Sequence, residues 1–227
     1  MMIKALLFDL DNTLLDFMEM KNSAVNSAVD SMIFAGLSIS KKQALKEIHD
    51  IYKDLGYEYQ EVFDLFLKNN LGKVDYRILA NGIIAYKKAK ESSLHLYKNV
   101  DKTLLTLSKM GLSIGVISDA PSREAWIRIC SMKLEHIFDT VVTLHEKGIH
   151  KPSPEPFKKA MKDLDVQPNE TIMIGDWPER DIIGAKNVGM KTAFAKYGDT
   201  FNTTNSGADY VLNDISDLIN IIQNINN

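Results

Sequence analysis

Cysteine is almost missing from this chain: Cys130 is the single one in 227 residues. That excludes an intramolecular disulfide and fits a reducing compartment, with Cys130 expected as a buried structural thiol. Long hydrophobic runs are missing too. The apolar stretch near the start already contains Asp9 and Asp11, and no other window approaches the roughly eighteen apolar residues of a membrane span. A cytoplasmic protein with no membrane partner is expected. No dense basic patch exists either: net charge is -3, and the lysines at 87–90 and 158–162 are interrupted by apolar residues as on solvated helix faces, so no nucleic-acid partner is implied. The five histidines, His49, His95, His136, His145 and His150, show no metal-ligand spacing, which argues against structural zinc. Repeats and low-complexity tracts are absent.

What is present is an ordinary globular composition, 45% apolar and 25% charged, enough for one sizeable core or a core plus an accessory domain. Strand-like runs occur at 4–8, 112–117, 140–143, 171–174, 191–195 and 210–212, and helical stretches separate most of them. This alternation predicts an α/β fold, a doubly wound and mainly parallel sheet. Between the first two strands lie about a hundred residues with no strand signal, too long for one crossover. They carry helical periodicity: Phe17, Lys21, Ala24, Ala28 and Met32 recur at one-turn steps, Ser40 and Gln43 have the form of a capping box, and apolar stripes run over 61–71 and 75–90. An inserted all-α domain is therefore expected over 16–96, with the α/β core formed by 1–15 and 97–227. Most of its aromatic residues should form a bundle core, while Tyr57 and Tyr59 beside Gly56 are allowed to face a ligand. Residues 214–225 should form a last amphipathic helix, with a frayed Asn-rich end.

Carboxylates stand at the ends of these strands. Asp9 and Asp11 close the first strand, and strand alternation points them the same way at the carboxyl end, where open α/β sheets place their ligands. Ser118 and Asp119 end the second, a place where a hydroxyl and backbone N–H groups meet an anion. Lys151 precedes a proline-stiffened turn in Gly148-Ile149-His150-Lys151-Pro152-Ser153-Pro154, and Gly175-Asp176-Trp177-Pro178-Glu179-Arg180-Asp181 follows a fourth strand.

Taken in order, Asp-x-Asp-x-Thr, Ser after a strand, Lys-Pro and Gly-Asp-x-x-x-x-Asp resemble the haloacid dehalogenase superfamily of phosphatases and phosphotransferases. The resemblance covers the whole chain, and a large group in that superfamily carries a helical cap where the insertion falls. It implies that Asp9 is the nucleophile that forms an aspartyl-phosphate and Asp11 the general acid and base. It implies a Mg²⁺ held by Asp9, Asp176 and the backbone carbonyl of Asp11, with Asp181 nearby directly or through water; a hard cation with oxygen ligands suits that set. Lys151 and Ser118 would hold phosphoryl oxygens. Asp119 replaces a common Asn, which leaves it a backbone role toward the substrate. Arg180 is expected to pair with Glu179 or Asp181 as a surface ion, and Trp177 either to line the cleft or to pack on a neighbouring loop.

The expected activity is Mg²⁺-dependent hydrolysis of a small phosphorylated metabolite by a monomer or homodimer, with selection resting on cap residues around Phe17, Met20, Tyr57 and Tyr59. Dehalogenation conflicts with Asp11. A phosphomutase shares the aspartate pair, and a non-catalytic binder of the same fold is the alternative from another class.

Overall fold

A computed structural model describes residues 2–144 and 149–227. His145 and Gly148 of the expectations above lie outside the described residues. The chain divides into two compact units, one of Met1–Asp16 with His95–Asn227 and the other of Phe17–Leu94.

Along the chain, β1 (Ala5–Phe8) comes first, and four helices follow: α1 (Phe17–Phe34), α2 (Lys41–Leu55), α3 (Val62–Leu71) and α4 (Tyr76–Ser92). Next come α5 (Val100–Lys109), β2 (Ser113–Pro121), α6 (Ser122–Ser131), β3 (Thr140–Leu144), α7 (Pro154–Asp163) and β4 (Thr171–Gly175). The chain finishes with α8 (Ile183–Asn187), β5 (Lys191–Ala195), β6 (Tyr210–Leu212) and α9 (Asp217–Asn226).

The described strands form one parallel sheet of six in the order β3-β2-β1-β4-β5-β6. All four residues of β1 are buried, as a central parallel strand covered on both faces requires. Strand alternation sends Leu7 to a face it shares with Ile117, Met173, Phe157 and Ala185. Leu6 and Phe8 point the opposite way and are equally buried. Strand order reverses on either side of β1, between β2 and β4, and an open α/β sheet binds its ligands at the carboxyl ends beside such a reversal. Where the chain leaves and re-enters this unit the two segments run together: Leu15 bridges Leu96, and the Asp16 N–H donates to the His95 carbonyl at 3.1 Å.

The helical unit has its own core, built from Val25, Ala28, Met32, Ile48, Phe66 and Ile78 among others. Half of the expected capping box is present at α2. Ser40 Oγ accepts from the Gln43 N–H at 3.3 Å, whereas the Gln43 side chain turns forward to Glu47 at 2.9 Å instead of back to the cap. Asp75 caps α4 by accepting from the N–H groups of Arg77 and Ile78. Among the described residues no helix is long and apolar enough to cross a membrane.

Three expectations are corrected. Cys130 is exposed, because α6 buries the face carrying Ala125, Arg128 and Ile129. The C-terminal end is tied down, since Asn226 exchanges two hydrogen bonds with the Ile3 backbone, at 2.7 and 3.0 Å. Finally, β2 runs on to Pro121, with a register shift against β3 between Ile117 and Pro121, so Ser118 and Asp119 lie in an irregular part of the strand. Bulges of this kind re-aim side chains next to active sites.

Candidate active site

Asp9 follows β1 directly, and its N–H donates to the Ile174 carbonyl at 2.8 Å, which sets it beside the end of β4. Asp176 follows β4, and Asp181 lies one turn further on. A glycine is required between them in space: a Cβ at Gly175 would run into the Asp181 carboxylate. The three carboxylates each place an oxygen within 4.8 Å of the others, and all three residues are buried. Thr13, buried beneath, donates to Asp176 Oδ1 at 3.2 Å, and its own carbonyl accepts from the Tyr197 hydroxyl at 2.8 Å. A Cβ at Gly198 would strike the Asn12 carbonyl, so this glycine lets the loop after Asp9 sit close against the end of β5.

Lys151, 2% exposed, is the cation of the group. Its Nζ donates to Asp9 Oδ1 at 2.5 Å, to Asp181 Oδ1 at 2.7 Å and to the Ile117 carbonyl at 2.9 Å. Those three bonds engage all three ammonium protons. In this structure the lysine thus orients the nucleophile candidate and compensates charge, and it offers a substrate no proton that is not already shared.

One ammonium among three buried carboxylates leaves a negative excess. Burial, with Asp181 and Asp11 adding repulsion against the pull of Lys151, pushes the Asp9 carboxyl up to about 8. Burial and the neighbouring Asp9 and Asp181 likewise hold Asp176 well above the carboxylate range, and burial raises Asp181. Burial opposes the charge on Lys151, but Asp181 and Asp9 outweigh it and keep the ammonium charged. A cluster so short of positive charge, offering only hard oxygen donors, fits a divalent cation that prefers oxygen ligands. Asp9, Asp176 and Asp181 could hold one.

The other predicted residues are placed as follows. Ser118 is buried, and its Oγ accepts from the Ala120 N–H at 3.1 Å, so the hydroxyl proton can turn elsewhere. Asp119 directs its carboxylate to protein groups, with Oδ1 accepting from the Lys151 N–H at 2.9 Å and Oδ2 from Arg180 at 3.1 Å. Toward a substrate it retains its backbone. Arg180 is a correction: it pairs with Asp119, not with Glu179 or Asp181, and its guanidinium lies over the Trp177 ring at 3.9 Å. Asp181 is unavailable to it because Lys151 and the Trp177 N–H already hold that buried carboxylate. Trp177 packs on Phe201 with ring centroids 4.7 Å apart, the neighbouring-loop alternative. Tyr57 stacks on Tyr52 at 5.7 Å and meets Phe17 edge-on at 6.2 Å within the helical unit. Tyr59 packs against the same core.

Asp11 stands apart from the metal-capable triad. Its Oδ2 accepts from Arg128 Nη1 at 2.6 Å, a pair that sequence reasoning missed. The available signal was an arginine beside Ile129 on the buried face of α6, in the helix after Ser118. Thr13 was quoted in the first motif without a role, and Tyr197 gave no signal.

A sequence profile described as haloacid dehalogenase-like hydrolase matches residues 6–195. The chain is 38% identical over 227 residues to a Methanocaldococcus jannaschii protein named glyceraldehyde 3-phosphate phosphatase, covering 99% of both chains. A Pyrococcus furiosus protein of the same name is 35% identical, with 99% of this chain and 95% of that one covered. Among solved structures, a phosphatase of this fold from Thermococcus onnurineus superposes with a TM-score of 0.72 at 25% identity, over 99% of this chain and 100% of that one.

Proposed function

The chain belongs to the haloacid dehalogenase-like hydrolase family, as a phosphatase, and from that premise we propose that it hydrolyses small phosphomonoesters through an aspartyl-phosphate on Asp9. The observation that carries this reading is the buried cluster at the carboxyl ends of β1 and β4, three carboxylates against the one ammonium of Lys151. Glyceraldehyde 3-phosphate is the substrate we would test first, because the archaeal relatives bear that name.

Asp9, Asp176 and Asp181, with the Asp11 backbone carbonyl, would hold a Mg²⁺, which would supply Lewis-acid polarisation of the phosphoryl group and offset the repulsion between a carboxylate and a phosphate dianion. The protein groups do the rest. Lys151 fixes the Asp9 carboxylate, so one of its oxygens is aimed at phosphorus without free rotation. Asp9 attacks in line, a bond forms from its oxygen to phosphorus, and the bond from phosphorus to the ester oxygen breaks. Protonated Asp11 gives its proton to the departing alkoxide. In the second step Asp11, now a carboxylate, takes a proton from water whose oxygen attacks the same phosphorus, and Asp9 is released with inorganic phosphate. Ser118 donates its hydroxyl proton to a phosphoryl oxygen. Choice among esters we assign to the helical unit.

The test is phosphate release from 4-nitrophenyl phosphate, glyceraldehyde 3-phosphate and a panel of sugar and glycolate phosphates, with Mg²⁺ and with EDTA, for the natural chain and Asp9→Asn. Metal-dependent turnover that disappears in the variant is expected. Turnover that survives Asp9→Asn, or a pure metal-loaded protein inert on every ester, would overturn the reading.

A further inference from the structure

Arg128 is a charged side chain buried to 1% exposure on a helix otherwise anchored by Ala125 and Ile129. Removing a guanidinium from water is costly, and it persists only where an anion and good geometry compensate. Here the anion is Asp11, 117 residues away in sequence and 2.6 Å away in space. A guanidinium contact this short is among the strong hydrogen bonds, and because it falls on Oδ2 it fixes the carboxyl's orientation and distance while leaving Oδ1 to carry the proton of the acid form. Asp11 needs such fixing. It sits on the loop leaving β1, just before Asn12, which adopts the left-handed conformation at φ 58°, and its side chain is 22% exposed. Asp9 is held from another direction by Lys151. The two aspartates of one short loop therefore have separate cationic supports, one from the Lys-Pro turn and one from α6.

We propose that Arg128 is a positioning residue for Asp11, resting on the reading above that Asp11 is the acid and base. The 2.6 Å contact of Arg128 is with the acid and base itself, so its influence should fall on proton delivery rather than on attack at phosphorus. In the first step the alkoxide of an alkyl ester leaves only with a proton from Asp11, whereas 4-nitrophenolate leaves as a stable anion without one. Loss of the support should penalise alkyl esters selectively.

The experiment measures kcat/KM, which reports the first step alone, for glycerol 3-phosphate and 4-nitrophenyl phosphate with the Mg²⁺-loaded natural chain, Arg128→Met, Arg128→Lys and Asp11→Asn. We expect the alkyl-to-aryl ratio to fall about 10- to 100-fold in Arg128→Met, part of the 10²–10⁴-fold worth of a general acid. Arg128→Lys should recover part of it, and the double variant Asp11→Asn/Arg128→Met should fall no further than Asp11→Asn. A pre-steady-state burst of 4-nitrophenolate should also grow in Arg128→Met, because the water-activating step then lags. Equal losses on both esters, with no burst change, would make Arg128 a packing residue and overturn the proposal. If Arg128→Met does not fold, Arg128→Lys and Arg128→Gln give the same ratio test. Should Asp11→Asn itself leave the ratio unchanged, the acid and base reading fails first; a shifted ratio in Asp11→Asn but not in the Arg128 variants sinks this inference alone.

Discussion

Each unit of the molecule buries a lysine, and the two meet different partners. Lys151 lies among anions, bonded to Asp9 and Asp181 with the Ile117 carbonyl as its third partner. Lys21, 5% exposed, donates to the Tyr57 carbonyl at 2.5 Å and the Tyr86 hydroxyl at 2.9 Å, and its ammonium sits 4.2 Å from the Tyr52 ring centroid. Those contacts tie α1, the turn after α2 and α4 together through dipoles and a ring face. Around Lys151 the carboxylates outnumber the ammonium, so that site has charge left to trade with a cation or a phosphoryl group. A buried lysine therefore signals chemistry through what surrounds it: at Lys151 anions in excess make a reactive site, whereas the carbonyl, hydroxyl and ring that meet Lys21 tie helices together as a strut.

The strongest way to break the comparison is Lys151→Met. It strands Asp9 and Asp181 beside Asp176 with no ammonium. Transition-state stabilisation should fall, with kcat/KM down about 10²–10³-fold. The metal-free fold should lose about 3–5 kcal/mol, the cost of leaving one side of a buried pair unpaired. Because the negative excess grows, Mg²⁺ should raise the urea midpoint more in the variant than in the natural chain. An equal Mg²⁺ increment in both would mean that Lys151 does not compete with the cation for the carboxylates, and no increment in either would mean that the carboxylates do not bind it.

A smaller effect comes from pH. Asp9 titrates at about 8 in the fold, against about 3.9 in an unfolded chain. Between those values the folded state holds a proton that the unfolded state has released. Its contribution to stability is complete below about pH 4 and is lost as pH rises through 8, with a slope of up to about 1.4 kcal/mol per pH unit for one proton. Asp176 and Asp181, also raised, act in the same direction. Urea melts in EDTA from pH 5 to 9 should therefore show falling stability, and saturating Mg²⁺ should flatten the curve above pH 7. A metal-free curve that rises over this range would contradict the charge balance described for the site.

How far all this was legible depends on the range of the interaction. β5 and β6 begin and end where the strand pattern predicts, because short apolar runs between turn residues carry their own boundaries. β2 does not. Ser118–Pro121 reads in sequence as the close of the strand just before a helix, and only the pairing with β3 shows that the strand continues to Pro121 through an irregularity. Asp9, Lys151, Asp176 and Asp181 could be picked out because each stands at a strand end or a stiffened turn, and the structure gathers the three aspartates round the lysine. Arg128 could not. Its place beside Ile129 on the buried face of α6 hints that an anion meets it, but that anion lies across the unit and 117 residues away in sequence. Asp119 and Arg180 show the same limit. Local reasoning pairs Arg180 with its sequence neighbours, yet the buried Lys151 has claimed Asp181, and the guanidinium reaches Asp119 instead.

The smallest predicted effect lies in the helical unit and sharpens the comparison from its other side. Lys21→Met keeps most of the stem's packing and removes the ammonium, taking its hydrogen bond from the partly buried Tyr57 carbonyl and from the Tyr86 hydroxyl. Unsatisfied buried groups of this kind cost about 1–3 kcal/mol, and the loss of the charge over Tyr52 adds to it. The penalty should read out as a lower urea midpoint. It should be the same in EDTA and in Mg²⁺, and the pH slope from 5 to 9 should match that of the natural chain, since Lys21 is no part of the carboxylate cluster. Tyr57 also stacks on Tyr52, so the turn keeps one anchor and the unit should still fold. If Lys21→Met altered the Mg²⁺ increment or the pH slope, its charge would be coupled to the aspartates, and the division between a strut and a reactive lysine would fail.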